Sequence, residues 1–467
     1  MKKSTVKYPL LILAAVLLII LVWRGASNRS QPVLEPTVTT SPTEISTAAP
    51  TAAALVSEPP AETQLPAQVA PPVLPPVDEA AERLIVPEGF AIRIFADEIR
   101  GTPRLMTIGE DGEVYLSLYA SGEIARLPDR DGDGLADSIE IIASDLNQPH
   151  GIEWRQGWLY VAGAGSVIRL QDRDGDGVLE TRELVTDNIP GGGGHSSRTL
   201  HFGPDGMLYV SAGSSCNVCA EDDPRRAAIL RFNPDGSIPP DNPFAQEADE
   251  QLQAVWAWGL RNSVDFLWTP AGTLWANHNG RDNLLDSAGS SDTLPPEEII
   301  IPVQVGKSHG WPYCYTAVSG INNPPQPEVL DNQSGLRLPE GFDCSLVNVT
   351  PALFTDLAHS APLGMLLASD SLAFPLEYQN SLYVAYHGSW NTSNAGIRDC
   401  KVERILLEGE IPIGSEVFVS GWRAEGQNCG SAATWGRPVD VLVGADGALY
   451  ISDDKGGRVY RVVFTGE

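Results

Sequence analysis

The chain has 467 residues, with 31 lysines and arginines against 60 aspartates and glutamates, so its formal net charge is −29. Because this charge repels polyanions and no run of basic residues opposes it, we exclude nucleic acid as a partner. The 45 glycines and 37 prolines, together with 11 tryptophans and 12 tyrosines, favour a turn-rich all-β protein over a helical one.

The N-terminal part of the chain lacks the character of a folded domain. Residues 1–29 contain three lysines followed by an apolar run from Tyr8 to Trp23, a pattern typical of a signal peptide or signal anchor. Residues 30–80 are rich in proline, threonine, alanine and serine, which predicts a disordered tether. We therefore expect an extracytoplasmic protein that contacts the membrane through its N-terminal segment, with residues 81–467 forming the folded domain.

A short motif recurs six times in the folded part. Each copy is a turn, usually containing glycine, followed by a strand with one aromatic residue: Tyr115, Tyr160, Tyr209, Trp275, Tyr383 and Tyr450. Six copies predict an all-β, six-bladed β-propeller with long loops inserted between Trp275 and Tyr383. A β-sandwich also has alternating strands and frequent turns, but it does not account for six recurrences of one motif. In a propeller, loops from all blades meet at one end of a central channel, so we expect the site residues to be scattered along the chain.

Six cysteines fit an oxidising compartment. The Cys216-x-x-Cys219 pair could be redox-active or half of a zinc site, but no second such pair completes a tetrahedral set. Structural disulfides are favoured in an exported protein. Chain order suggests the pairs Cys216–Cys219, Cys314–Cys344 and Cys400–Cys429, out of the 15 connectivities that six cysteines allow.

Two acidic loops match the calcium-binding pattern in which oxygen ligands alternate along the chain and a glycine at the sixth position makes the sharp turn. Closely spaced carboxylates repel one another, and a hard dication offsets that repulsion. The alternative is a solvated acidic turn. The carboxylates are Asp129, Asp131, Asp133, Asp137 and Glu140 in the first loop and Asp172, Asp174, Asp176, Glu180 and Glu183 in the second, with Leu135 and Val178 each lending a backbone carbonyl. We interpret both loops as structural calcium sites on adjacent blades.

Further polar residues follow predicted strands. His195 ends a run of four glycines, and a neutral imidazole in such a loop suits proton transfer, although a lone histidine is more often structural. Arg198 beside it binds either an anion or one of the many acids. Arg261 and Asn262 offer a bidentate cation and an amide to a planar ligand with carboxylate or carbonyl groups, or form an inter-blade salt bridge.

Together, several motifs resemble the soluble glucose/sorbosone dehydrogenase family, and most closely its sorbosone and pyranose dehydrogenase-like branch. The motifs are His195-Ser-Ser-Arg, Gly-Leu-Arg261-Asn262, His309-Gly-Trp-Pro-Tyr, His387-Gly-Ser-Trp-Asn and Gly-Arg437-Pro-Val-Asp440. The resemblance covers residues 84 to 465. It implies a six-bladed propeller that binds pyrroloquinoline quinone (PQQ) and calcium and oxidises aldoses or related aldehydes by hydride transfer to the quinone.

The resemblance also implies roles for single residues. It makes His195 the general base and places a catalytic calcium on backbone carbonyls at Gly280 and Arg281. We expect cofactor contacts from Arg198, Arg261, Asn262, His387, Arg437, Asp440 and Asp453. Cys219 is followed by Ala220, so the chain has no CxxCH haem attachment, and electrons are expected to leave to a separate quinone or cytochrome.

Two other readings remain open. One is a calcium-dependent six-bladed lactonase, which would hold its metal in the channel through side-chain carboxylates and asparagines. The other is a non-catalytic, surface-tethered propeller that binds carbohydrate or protein.

Overall fold

The computed structural model describes residues 73–327, 336, 338–368, 371–389, 391–393 and 396–466. The predicted signal anchor and residues 30–72 of the predicted tether lie outside this range. The part of the chain described here includes no helix with the length and apolarity needed to cross a membrane.

The last residues of the predicted tether already contact the folded domain. A short helix, α1 (Glu79–Arg83), is capped by Asp78, whose Oδ1 accepts a hydrogen bond from the Ala81 amide at 3.0 Å. The other oxygen of Asp78 accepts from the Ile94 amide at 2.7 Å. Arg461 donates to the Val73 carbonyl at 3.0 Å. Contacts with the folded domain therefore begin before the boundary expected at residue 81.

The described residues form six four-stranded antiparallel sheets. In five of them the strands follow one another in chain order from first to fourth. The first three sheets are β2 (Pro103–Ile108), β3 (Val114–Leu118), β4 (Glu123–Leu127), β5 (Glu140–Ala143); β6 (Ile152–Arg155), β7 (Trp158–Gly163), β8 (Ser166–Gln171), β9 (Thr181–Thr186); and β10 (Leu200–Phe202), β11 (Leu208–Ala212), β12 (Ala228–Phe232), β13 (Val255–Trp258).

The remaining sheets follow the same order, except that the last one takes its fourth strand from the start of the domain. They are β14 (Phe266–Trp268), β15 (Leu274–His278), β16 (Glu297–Pro302), β19 (Phe354–Asp356); β20 (Pro362–Leu367), β21 (Ser381–Tyr386), β22 (Lys401–Glu408), β23 (Ile411–Val419); and β24 (Pro438–Val443), β25 (Leu449–Asp453), β26 (Arg458–Phe464), β1 (Phe90–Ala96). A small pair, β17 (Cys314–Tyr315) and β18 (Gln326–Pro327), and two 3₁₀ turns, Leu252–Ala254 and Leu376–Tyr378, lie in the connections.

The six sheets close into a ring, which confirms the predicted all-β, six-bladed propeller. The first strand β2 contacts both β6 of the next sheet and β24 of the last sheet. Strand β1 pairs with β26, with Phe90 opposite Phe464, so the two ends of the domain share one sheet. Buried apolar clusters fill the space between each pair of neighbouring sheets; Leu116 and Tyr450, for example, belong to one cluster between the first and last blades.

The repeated aromatic residue lies in the second strand of every sheet, as the recurrence predicts. In three blades its hydroxyl donates to the aspartate of the preceding turn, and an arginine on the third strand lies opposite it in the register. These pairs are Tyr115 with Asp111 at 2.8 Å, Tyr209 with Asp205 at 3.0 Å and Tyr450 with Asp446 at 3.3 Å. In these three blades the motif therefore holds the turn to its sheet.

The two ends of the propeller differ chemically. Because neighbouring strands are antiparallel, turns after the first and third strands leave at one end, whereas turns after the second strand and connections between blades leave at the other. We call the former the acidic end, since it carries Asp111, Asp129 and Asp172. The latter is the mouth, which carries the loops of His195 and Arg437. The long insertion after β16 returns toward the mouth beside β13, as the parallel bridge between Ser308 and Trp258 shows.

All three disulfides expected from chain order are present. They join Cys216 to Cys219, Cys314 to Cys344, and Cys400 to Cys429. The first lies in a mouth loop, the second fixes the insertion after β16, and the third joins two loops of the last two blades.

A charged network on the first strands lines the channel. His201 Nε2 lies 3.0 Å from Asp265, and its Nδ1 lies 3.1 Å from Glu153. Burial opposes the charged imidazole, but the hydrogen bonds to Asp265 and Glu153 outweigh it and raise the pKa of His201 to about 10. Asp440 accepts a hydrogen bond from the Met106 amide at 2.8 Å, and burial, with the charge of Asp265, raises its pKa to about 8.

The raised pKa values of His201 and Asp440 predict that the folded protein loses stability at high pH. Each binds its proton more tightly in the folded protein than in the unfolded chain, so stability falls as pH rises through about 4 to 8 for Asp440 and about 6.5 to 10 for His201. Thermal unfolding followed from pH 6 to 10 should therefore show a falling midpoint, and His201→Gln should show a smaller fall above pH 7. An equal fall in both proteins would contradict this assignment.

Candidate active site

His195 lies in the connection between β9 and β10, at the mouth. Its Nδ1 is 2.9 Å from Ser214 Oγ and 3.1 Å from the Ser214 carbonyl oxygen. Ser214 Oγ donates its own hydrogen to the Cys216 carbonyl at 2.8 Å. Both neighbours of Nδ1 are therefore acceptors, so Nδ1 carries the imidazole hydrogen and Nε2 keeps a free lone pair.

The surroundings of His195 keep its imidazole neutral. Burial is the largest cause, and the positive charge of Arg261 adds to it, so that the pKa of His195 falls to about 4. At neutral pH the side chain is therefore an unprotonated acceptor with a fixed tautomer. A side chain in this state can accept a proton, which is the first requirement of a general base.

Arg198 donates hydrogen bonds to the backbone of the loop that carries His195. Its Nη1 donates to the carbonyls of His195 at 2.8 Å and Ser197 at 2.7 Å, and its Nη2 donates to the Pro190 carbonyl. The residue has no exposed surface. Backbone carbonyls take the hydrogen bonds of its two terminal nitrogens, whereas its buried Nε has no partner among the described residues, so a contact with a cofactor stays a prediction.

Arg261 joins three segments of the mouth. Its Nε donates to the Asn217 carbonyl at 3.0 Å and its Nη2 to Asn217 Oδ1 at 2.9 Å. Its Nη1 donates to the carbonyls of Asn279 at 3.2 Å and Gly280 at 2.9 Å, and Asp282 lies 3.4 Å from Nη2. The neighbouring Asn262 accepts the Asn279 amide through its backbone carbonyl at 3.1 Å.

Hydrogen bonds already engage the backbone at Gly280, where a calcium was expected. The Gly280 carbonyl already faces the Arg261 guanidinium, and a dication on the same oxygen would meet that positive charge. Gly280 also donates its amide to Glu297 at 2.7 Å, and Arg281 is buried. Arg261 therefore lies beside the expected calcium position, and the calcium there stays a prediction.

A second group of charges lies on the opposite side of the mouth. His387 Nε2 is 2.8 Å from Asp454 Oδ1, and Arg104 Nη1 donates to Asp454 Oδ2 at 2.8 Å. Burial alone would raise the pKa of Asp454, but His387 and Arg104 lower it to about 2. Arg437 donates from Nε to the His387 carbonyl at 2.8 Å and from Nη2 to Gly388 at 2.9 Å. Its Nη1 has no hydrogen-bond partner among the described residues.

Two predicted cofactor contacts lie beneath this group. Asp453 is fully buried and accepts the Arg437 amide at 2.7 Å and the Tyr460 hydroxyl at 2.8 Å, so it supports the arginine from inside. Asp440 lies farther down the first strand, in the channel network with Met106. Both acids bind backbone amides that would otherwise be buried without a partner, and neither is brought to the surface of the mouth.

The mouth residues form one closed circuit of contacts. Arg104 lies over the ring of Tyr119 at 5.8 Å, and the Tyr119 hydroxyl is 2.6 Å from Ser196 Oγ, beside His195. Beyond His195, the Ser214 amide donates to the Arg261 carbonyl at 2.7 Å. Asp282 continues from Arg261 to Asn391, whose Nδ2 donates at 2.8 Å, and Asn391 shares a loop with His387. Asp282 also lies 3.6 Å from His359.

The two predicted calcium loops lie at the acidic end. Carboxylate oxygens of Asp129, Asp131 and Asp133 lie within 4.8 Å of one another, as do those of Asp172, Asp174 and Glu180. Backbone amides inside each loop hold these carboxylates, with Gly134 and Gly177 donating to the first aspartate at 3.0 and 2.8 Å. Both glycines have positive φ, +85° and +91°, which explains the glycine at this position.

Other predicted ligands point elsewhere in the structure. Glu140 accepts from Arg126 at 2.6 Å and from Arg130 at 2.7 Å, and Glu183 lies against Arg169. Asp137 accepts the Arg130 amide at 2.9 Å. Asp176 accepts the Val178 amide at 2.8 Å, as Asp133 does for Leu135 at 2.9 Å. Each loop thus brings three carboxylates together. The last glutamate of each loop pairs with an arginine instead, because Glu140 is the first residue of β5 and Glu183 lies within β9.

Several mouth residues have no local signal in the sequence. Their hydrogen-bond partners lie tens to hundreds of residues away in the chain; this holds for Arg104, Tyr119, Asn217 and Asp282. Asp454 follows Asp453 directly, and only the structure shows which of the two faces His387. A comparison of equivalent loops in all six repeats is the signal that could have found them.

Comparison with known proteins agrees with the fold and the resemblance. A family model described as TrAA12-like matches residues 84–465. The aldose sugar dehydrogenase of Escherichia coli is 26% identical over 274 residues, 58% of this chain and 60% of that protein. The pyrroloquinoline quinone-dependent pyranose dehydrogenase of Coprinopsis cinerea is 27% identical over 301 residues, 57% of this chain and 39% of that protein.

A solved structure supports the same fold. The family AA12 carbohydrate-active enzyme of Trichoderma reesei superposes with a TM-score of 0.64 at 17% identity, covering 84% of this chain and 100% of that one. The resemblance expected from the motifs is confirmed, and the chain belongs to the TrAA12-like family.

Proposed function

We propose that this protein is an extracytoplasmic PQQ-dependent dehydrogenase that oxidises aldoses or sorbosone-like aldehydes. The observation that carries the proposal is the state of His195, a neutral imidazole whose hydrogen is fixed on Nδ1 by two acceptors of Ser214. The free Nε2 lone pair is a base within a loop-lined mouth. The E. coli and Coprinopsis relatives, named as sugar dehydrogenases, support the same class of reaction.

The charges of the mouth suit an anionic cofactor. PQQ carries three carboxylates, and a protein with a net charge of −29 needs local cations to hold it. Arg437 has its Nη1 without a partner among the described residues, and the buried Nε of Arg104 likewise lacks a hydrogen bond. These two arginines would bind carboxylates, while His387 and Asp454 hold them in place. Bound PQQ would supply the two-electron acceptor for hydride.

The residues of this chain would move the proton. Nε2 of His195 would take the proton of the anomeric hydroxyl, and the hydride of the same carbon would go to the quinone, so that an aldose becomes a lactone. Ser214 keeps the imidazole in the required tautomer throughout. Arg198 fixes the backbone on either side of the histidine, which limits its rotation away from the substrate.

The same proposal places the protein outside the cytoplasm. Three disulfides in one domain suit an oxidising compartment. The apolar run near the N-terminus would provide the membrane contact, and a separate quinone or cytochrome would accept the electrons.

Calcium belongs in this proposal at the acidic end. The two loops of assembled aspartates would hold structural ions there, with oxygen ligands of the kind that calcium prefers. The Gly280 carbonyl at the mouth is held by Arg261 and is left out of the calcium assignment.

The first prediction concerns His195. PQQ and a series of aldoses are added to the purified protein, and the quinone absorbance and the reduction of a dye are recorded. We expect sugar to reduce the bound quinone, and His195→Ala to lower the rate at least 100-fold while PQQ still binds. Ser197→Ala, in the same loop, is the matched control and should keep its rate.

Two other outcomes of this experiment would support the alternative functions, a binding propeller or a lactonase. Quinone binding without reduction by any aldose would indicate a binding propeller. Ester hydrolysis without quinone binding would indicate a lactonase. Unchanged turnover in His195→Ala would overturn the role of the base.

The pH dependence gives a second prediction. Because the pKa of His195 is lowered to about 4, the base stays unprotonated down to that pH. The value of kcat/KM should therefore be level around neutral pH and fall tenfold per unit only below about pH 4. A fall centred near the ordinary histidine value of about 6.5 would contradict this environment.

Calcium binding gives a third prediction. Calcium at 100 times its dissociation constant should stabilise the fold by about 2.7 kcal/mol per site, seen as a higher unfolding temperature that a chelator reverses. Asp129→Asn combined with Asp172→Asn should remove the response. Glu140→Gln is the matched acidic control, because its carboxylate pairs with arginines, and it should keep the response.

A further inference from the structure

We propose that Asn217 is a positioning residue of the proposed oxidation, which fixes Arg261 and Asp282 at the mouth, and that the Cys216–Cys219 disulfide holds Asn217 in place. This inference rests on the proposed function. Asn217 touches neither His195 nor the second charge group in the described contacts, so its action on chemistry passes through other residues.

Asn217 makes paired contacts with two mouth segments. Its backbone carbonyl accepts from Arg261 Nε at 3.0 Å and from Trp311 Nε1 at 3.3 Å. Its Oδ1 accepts from Arg261 Nη2 at 2.9 Å and from the Asp282 amide at 2.8 Å. Its Nδ2 donates to the Asp282 carbonyl at 3.0 Å. The Asn217 side chain therefore accepts from the Asp282 amide, donates to the Asp282 carbonyl and also accepts from the Arg261 guanidinium.

The chemistry of these contacts requires an amide. The Asp282 amide and the Arg261 guanidinium both donate, so they need an oxygen, whereas the Asp282 carbonyl needs a donor. Asparagine supplies both atoms on one short side chain. Aspartate at this position would keep the oxygen for Arg261 but would face the Asp282 carbonyl with a second acceptor.

The disulfide places this amide and the base in one short segment. Cys216 and Cys219 bracket Asn217. The Cys216 carbonyl accepts the Ser214 hydroxyl hydrogen that sets the tautomer of His195. The Ser214 amide donates to the Arg261 carbonyl at 2.7 Å. Movement of the bracketed turn would therefore disturb the base and the guanidinium together.

Displacement of Arg261 has a direct electrostatic consequence. Its positive charge, added to burial, keeps the imidazolium form of His195 unfavourable. The negative charge of Asp282 raises the pKa of His195 and that of Arg198 lowers it, but Arg261 is the largest of the three charge effects, so His195 should titrate at a higher pH when Asn217 no longer holds Arg261. A residue that only stabilised the fold would not change this titration.

The experiment compares Asn217→Ala, Asn217→Asp and the control Val218→Ala, which changes the adjacent residue inside the same disulfide loop. The titration of His195 is followed by NMR in protein with isotope-labelled histidine, and His195→Gln assigns its signal among the seven histidines. We expect the midpoint of His195 to move upward in Asn217→Ala and to stay unchanged in Val218→Ala. In PQQ-loaded protein, kcat should fall roughly 10- to 100-fold in Asn217→Ala only.

Asn217→Asp separates the two contacts. Its oxygen still binds Arg261, so the lost pair with Asp282 is measured as a lower kcat; the His195 midpoint is not compared in this variant, because the added negative charge would itself raise the pKa of the imidazole. Cys216→Ser combined with Cys219→Ser should move the midpoint upward, as Asn217→Ala does. This double variant also provides the test if Asn217→Ala does not fold.

An unshifted His195 midpoint in both Asn217→Ala and the double cysteine variant would overturn the proposal, as would kcat values within twofold of Val218→Ala. Failure of the proposed function has a different signature. The intact protein would then not reduce PQQ with any aldose, while the NMR titration would still report whether Asn217 holds Arg261 in place.

Discussion

The pairing of β1 with β26 is the constraint on which the remaining structure depends. Propeller blades bury apolar side chains only against their neighbours, so an open row of six sheets would leave two faces exposed. Strand β1 closes the row by joining the first residues of the domain to the last, with Phe90 opposite Phe464. The cluster that contains Leu116 and Tyr450 forms across this joint. Each of the six interfaces is therefore buried on both sides.

Closure of the ring also creates the mouth. Residues that are far apart in the chain, such as Arg104 and Asp454, form a direct ion pair of 2.8 Å only because the first and last blades are neighbours. The circuit then passes through Tyr119, Ser196 and His195 to Arg261 and Asp282 before it returns near His387. A rigid scaffold with loops from every blade thus holds the neutral imidazole of His195 between two groups of arginines.

The fold was predictable to a large extent because its signal repeats. Six aromatic residues with similar turns fix the second strand of each blade, and the turn aspartates and third-strand arginines explain why those positions recur. The His195 loop was also predictable, since a glycine run followed by a histidine is a local pattern. The disulfide pairs followed from chain order because each one spans a short segment.

The sequence could not show which polar residues are accessible. Arg198, Asp440 and Asp453 carry the groups a cofactor could use, but burial turns them toward backbone amides and carbonyls. Nor could the sequence show that Arg261 donates to the Gly280 carbonyl, the oxygen expected to bind calcium. Arg104, Asn217 and Asp282 were missed because their partners lie in other blades, and only the three-dimensional arrangement brings them together.

The described chain enters the propeller at the acidic end. Phe90 begins β1 at the acidic end, and Val73 is held there by Arg461, which also binds Asp446 of a turn at that end. The mouth lies at the other end of the channel. The first described residues therefore stay on the far side of the channel from His195 and Arg437, and the entering chain leaves the mouth uncovered.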